Sequence, residues 1–117
     1  MLVKPVQKIH AEGYSPGGPP IGSFTLYGEY DPDVDGDPFP SPHIALSWSS
    51  TYLLGADEWE LERDTGSGFA LLATLSIGTL TYDDLPSIGV DAYYRIRAVN
   101  AYGATGYSNT VGPLVMP

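Results

Sequence analysis

The residues best equipped for chemistry stand close together in one stretch. Asp31-Pro-Asp33-Val-Asp35-Gly36 puts a carboxylate at every second position and a glycine at the bend, the first half of a twelve-residue calcium-binding loop. The second half departs from that pattern: the twelfth position should supply a bidentate glutamate, and here it is Pro42. A hard cation held by Asp31, Asp33 and Asp35 would need further oxygens, and Asp83 and Asp84 are the candidates. The expectation is an acidic, solvated loop stiffened by prolines, with calcium at the three aspartates as the alternative and no other cofactor.

Catalytic arrangements are otherwise lacking. The histidines are His10 and His43, neither in a nucleophile or metal spacing, and His43 is expected at a strand edge. With no cysteine there is no thiolate nucleophile, no thiolate metal site and no disulfide. Asp83-Asp84 has the composition of an acid–base pair but falls where a turn is expected. Gly66-Ser67-Gly68 reads as a hairpin turn, since no helix follows it to make a phosphate cradle. The chain is therefore expected not to be an enzyme. Its net charge of -9 opposes binding to nucleic acid and to anionic membranes, and Arg95 and Arg97 lack the basic surroundings a nucleic-acid site requires. No run approaches the roughly 18 apolar residues of a membrane span. The stretch 1–14 has no apolar core of the kind a secretory signal needs.

The elements that must position these residues are short. Leu, Ile, Val and Phe make up roughly a quarter of the chain, above the ~20% below which a highly charged chain stays unfolded. The 14 glycines and 11 prolines read as turns between many brief strands. Ser15-Pro16-Gly17-Gly18-Pro19-Pro20 continues neither helix nor sheet, and it divides an extended N-terminal arm, residues 1–18, from a domain at 19–117. The arm holds both lysines against one acid, Glu12, and is slightly basic. The domain holds the three arginines and every other acid.

From Ser23 onward, period-two runs are broken by turn residues every 8–12 positions, the pattern of an antiparallel sandwich or barrel. The runs are Phe24–Glu29, His43–Trp48, Glu58–Arg63, Phe69–Leu75, Thr79–Tyr82, Ala92–Val99 and Tyr107–Val111. The fold class is all-β with seven strands. Alternation turns Trp59 and Leu61 inward with Glu58, Glu60 and Glu62 outward, and turns Tyr94, Ile96 and Ala98 inward with Arg95 and Arg97 outward.

Leu46-Ser47-Trp48, then Trp59-Glu-Leu-Glu-Arg63 with the Asp64–Gly68 turn and Phe69, then Tyr82-Asp-Asp-Leu85, then Tyr94-Arg-Ile-Arg-Ala-Val-Asn100 with Gly103 and Ser108-Asn109, together resemble the fibronectin type III domain in its bacterial and phage form. The resemblance covers about residues 19–117 and implies a seven-stranded, immunoglobulin-like β-sandwich. It implies that the strands bearing the glutamates and arginines are neighbours, so that the charged rows pair across strands. One departure stands out. The family places a tyrosine six residues before the alanine of its A-V-N run, and here that residue is Ala92, so the tyrosine corner is absent or shifts to Tyr93 or Tyr94.

That topology sorts the loops into two poles. One collects Asp31, Asp33, Asp35, Asp37, Asp64, Asp83, Asp84 and Asp91. The other, with the arm, collects Tyr52, Leu53, Leu54, Ile77 and Tyr102, and exposed apolar loop residues mark contact surfaces. The expected partner-binding residues are Lys4, Lys8, Ile9 and Tyr14 of the arm, docked along a partner with strand addition as one mode, and Tyr52, Leu53, Leu54 and Tyr102 of the apolar pole. Leu53 and Leu54 folding back on the core edge is the competing expectation. The resembled family consists mainly of non-catalytic binding and spacing modules. A lone module starting at a methionine with no export signal is expected to be a bacteriophage virion structural protein, a head decoration or tail-associated subunit. Its partners would be capsid or tail proteins or further copies of itself. The alternative is a carbohydrate-binding or adhesion module of a secreted, extracellular protein, stacking host-surface glycans on Tyr52 and Tyr102.

Overall fold

The computed structural model describes residues 17–32 and 42–117, and every regular element among them is a strand. These are β1 (Ile21–Asp31), β2 (His43–Leu54), β3 (Glu58–Asp64), β4 (Ala70–Ser76), β5 (Thr81–Asp84), β6 (Ala92–Asn100), β7 (Gly103–Ala104) and β8 (Val111–Leu114). One sheet runs β1-β2-β5. The other runs β4-β3-β6, with β7 and β8 both pairing with β6. All of these pairings are antiparallel.

Side-chain alternation makes the two sheets a sandwich, because each turns an apolar row to the other. Leu26, Ile44, Leu46 and Trp48 from the first sheet meet Trp59, Leu61, Tyr94, Ile96 and Ala98 from the second, none more than 3% exposed. The aromatic rings meet edge to face, Trp48 on Trp59 at 6.0 Å and Phe24 on Trp59 at 5.2 Å between centroids. Trp59 Nε1 donates to the Ile77 carbonyl at 3.0 Å, whereas the buried Nε1 of Trp48 has no partner among the described residues.

The expectation of seven strands becomes eight because the last one is broken. Where Tyr107–Val111 reads as a strand, residues 105–110 run beside β6 without a regular ladder and bond to it through hydroxyl groups as well as backbone. Ala98 N–H donates to Thr105 Oγ1 and Ile96 N–H to Ser108 Oγ, each at 3.0 Å, while Thr105 and Ser108 return their own N–H groups to the Ala98 and Ile96 carbonyls. Asn109 then crosses to the first sheet. Its amide accepts from Leu26 N–H at 2.8 Å and donates to Leu26 O at 2.9 Å, as a neighbouring strand would. β8 begins only beyond it, where Gly112 has φ of +137° and a Cβ would stand 2.6 Å from the Ala92 carbonyl oxygen.

Two other boundaries move. Tyr52, Leu53 and Leu54 are strand and not loop: Ser23 pairs with Tyr52, Gly22 with Leu53 and Ile21 with Leu54, beyond a bulge at Thr51. Leu53 packs against the core, so the fold-back expectation holds for it, while Tyr52 stays exposed. Asp83 and Asp84 likewise belong to β5 and not to the turn after it.

Candidate functional site

The loops fall at two ends as the topology requires. Asp31, Asp64, Asp83, Asp84 and Asp91 lie at or near the end carrying the β3–β4 and β5–β6 connections, but they are not a uniform acidic display. Asp84 points inward from β5 and is 6% exposed. A buried carboxylate must be paired. Arg63 Nη1 reaches across from β3 to both its oxygens at 3.0 and 2.9 Å, and Tyr94 donates its hydroxyl from β6 at 2.6 Å. These three residues fasten one sheet to the other. Burial, and then the hydrogen bond to Asp84, push the Tyr94 hydroxyl well above the ordinary tyrosine range. Tyr94 thus bonds a side chain ten residues upstream where a tyrosine corner bonds backbone, and Ala92, at the position where the family has its tyrosine, is fully buried. Asp64 is also committed, accepting from the Gly66 and Gly68 N–H groups at 2.7 and 3.0 Å to close the hairpin turn.

The outer face of the larger sheet carries the charged rows in the expected register, Glu60 opposite Arg97 and Glu62 opposite Arg95. Both pairs close, at 2.9 Å for Arg97 to Glu60 and 2.8 Å for Arg95 to Glu62. Tyr107 completes the face: its ring lies 3.7 Å from the Arg95 guanidinium and 4.9 Å from that of Arg97, and its hydroxyl donates to Glu62 at 2.9 Å. Phe69 covers the other side of Arg95 at 4.1 Å. Partial burial, followed by the bond to Glu62, raises the Tyr107 pKa. Every guanidinium in the chain is thereby spent inside the domain.

At the opposite end one side chain gathers three segments. Asn100 Nδ2 donates to the carbonyls of Gly18 and Gly55 at 2.9 and 2.8 Å, and its Oδ1 accepts from the N–H groups of Tyr102 and Gly103. The chain therefore enters the domain at a fixed point against the β6–β7 turn. Tyr52 lines a groove with Pro19, Pro20, Ile21 and Thr105, and Tyr102, 66% exposed, lines a different one with Glu58, Glu60 and Arg97. Lys4, Lys8, Ile9 and Tyr14 lie outside the described residues, as do Asp33, Asp35 and Asp37.

The outer face of the smaller sheet was not singled out by its sequence. Tyr27 and Glu29 on β1, Ala45 and Ser47 on β2, and Thr81 and Asp83 on β5 line an open trough of about 350 Å³. Register sets them in two rows, Tyr27–Ser47–Thr81 and Glu29–Ala45–Asp83. The signal available was the small size of the outward residues on β2 between polar neighbours. His43, which belongs to the same face, is buried where a strand edge was expected, with Nε2 3.4 Å from Asp83 Oδ1 and 3.8 Å from Asp31 Oδ2. No group of three His, Asp or Glu residues suited to a metal ion occurs among the described residues. Asp31 is the one member of the aspartate motif on view, at the end of β1.

No protein-family model matches the chain, and no curated relative does. Solved structures do. An Fn3-like protein from Clostridium thermocellum is 26% identical, covers 86% of this chain and 93% of its own, and superposes with a TM-score of 0.56. A structure described as FN3tt mut is 20% identical, covers 85% of this chain and 98% of its own, and superposes at 0.55.

Proposed function

We propose that this chain, which has the fibronectin type III fold, is a non-catalytic assembly module anchored through its N-terminal segment and the apolar pole from which that segment leaves. We place it in a bacteriophage virion, as a head decoration or tail-associated subunit whose partners are capsid or tail proteins. The observation that carries the anchoring is the Asn100 junction: Gly18 is tied to the end of a central strand, beside exposed Tyr102 and Tyr52, so a segment bound elsewhere would hold the domain in a set orientation. The reading as a non-catalytic module is supported by the three arginines of the domain, each of which is paired with a carboxylate. The virion setting rests on the resemblance to the bacterial and phage form of the fold.

Removing residues 1–16 leaves Gly18 and its bond in place, so the shortened chain is expected to unfold at the same denaturant midpoint as the full one. Produced during particle assembly, it should be missing from purified particles by mass spectrometry. Incorporation at the occupancy of the full chain would overturn the anchoring.

A further inference from the structure

We infer that the trough on the outer face of β1, β2 and β5 receives the N-terminal segment of a second copy of this chain, its lysines meeting Glu29 and Asp83 across Ala45. The inference names a partner for the segment that the assembly reading treats as an anchor, and it rests on that reading only in this respect.

The shape comes from side-chain size. Ala45 and Ser47 form a low floor, while Tyr27 and Glu29 rise on one side and Thr81 and Asp83 on the other. The walls stand two strand spacings apart, about 9.5 Å between backbones, the width of one extended chain laid along the sheet. Tyr27, 55% exposed, offers a ring face to a methylene stem or an ammonium group.

The charge specifies the occupant. Across the trough stand Glu29 and Asp83, and the only basic group of the described residues on this face is His43, buried at the trough's end between Asp83 and Asp31. The arginines are all consumed, Arg63 by Asp84, Arg95 by Glu62 and Arg97 by Glu60. The two lysines of the chain are Lys4 and Lys8, inside the segment 1–16, which carries a single acid. Its sequence Leu2-Val3-Lys4-Pro5-Val6-Gln7-Lys8-Ile9 suits an extended conformation, and sixteen residues reach about 50 Å.

The point of entry favours a neighbour over the segment's own domain. Gly18 is held by Asn100 of β6, and a Cβ on Gly103 of β7 would stand 3.2 Å from Pro19, so the chain arrives against the larger sheet. The trough faces away on the other side of the sandwich. A contact of this kind is head to tail, and copies add in succession or close into a ring.

Complementary variants test this with purified full-length chains. Lys4→Glu/Lys8→Glu spoils the segment and keeps the trough; Glu29→Lys/Asp83→Asn spoils the trough and keeps the segment. By sedimentation velocity in low salt the unaltered chain should self-associate, and added salt should reverse this as screening shortens the reach of the charges. Each variant alone should run as a monomer, with at least tenfold weaker association, and the equimolar mixture should recover a heterodimer. Ser47→Arg, which fills the floor and leaves the His43 contacts alone, serves as a second trough variant should Asp83→Asn disturb the fold. A mixture that stays monomeric overturns the inference. So does an unaltered chain that is monomeric throughout while Lys4→Glu/Lys8→Glu shifts the Tyr27, Ser47 and Thr81 amide resonances, because the segment would then occupy its own domain's trough. Neither result touches the particle-incorporation experiment, so the two readings fail separately.

Discussion

The outer faces of the two sheets both carry carboxylates and a tyrosine, and they came out opposite. On the larger sheet, Arg95, Arg97, Glu60, Glu62, Tyr107 and Phe69 answer one another in stacked rows of opposite charge. On the smaller sheet, Glu29, Tyr27 and Thr81 flank a floor of Ala45 and Ser47. The first face pairs both of its arginines with glutamates, and the second holds carboxylates on a concave surface. In an acidic domain, then, a dense ion-pair array marks a finished surface, and small residues between polar walls mark an open one. The tryptophans carry the same contrast inward, since Trp59 from the larger sheet has its N–H bonded and Trp48 from the smaller one does not.

The largest effect is expected where the sheets are freed from each other. Asp84→Ala leaves the Arg63 guanidinium and the Tyr94 hydroxyl without their shared carboxylate and should cost about 3 kcal/mol, read as a lower urea midpoint at unchanged slope. Both faces should then loosen together in amide hydrogen exchange; loss of protection on one sheet alone would show that the clasp does not join them. A smaller effect separates the tryptophans. Trp59→Phe abandons the Ile77 carbonyl, whereas Trp48→Phe removes a donor that had no partner, so the first should destabilise by about 1 kcal/mol more than the second. Equal losses would mean that ring volume alone decides. The finest test addresses the surfaces themselves. Glu62→Ala should cost about 1 kcal/mol because it orphans Arg95 and Tyr107, and Glu29→Ala should stay within about 0.5 kcal/mol of the unaltered chain in thermal unfolding. A larger loss at Glu29 would make the open face structural.

Period two made much of this legible. The inward Trp59, Leu61, Tyr94, Ile96 and Ala98 and the outward Glu60, Glu62, Arg95 and Arg97 could be placed from alternation, and the resemblance put their strands side by side. What stayed hidden depends on partners distant in sequence. Asp84 shares inward parity with Tyr82, yet its need for Arg63 and Tyr94 arises only when the two sheets meet. The run Thr51–Leu54 loses alternation at a bulge and is strand only because Ile21–Ser23 lies beside it. Residues 105–110 bond to β6 partly through hydroxyl groups, which strand patterning does not register. The trough leaves no mark on any single strand because its depth is set by the relative sizes of residues on three strands together.

Asn100 sets a load path. Tension applied through residues 1–16 arrives at Gly18 and passes through the Asn100 amide into β6, a central strand of the larger sheet, at the end where Gly55 shares the same side chain. The bond between Gly18 and Asn100 must yield before a pull can peel β1 from β2 one pair at a time, starting at Ile21 and Leu54. Asn100 would thereby act as a clip between the incoming chain and the larger sheet.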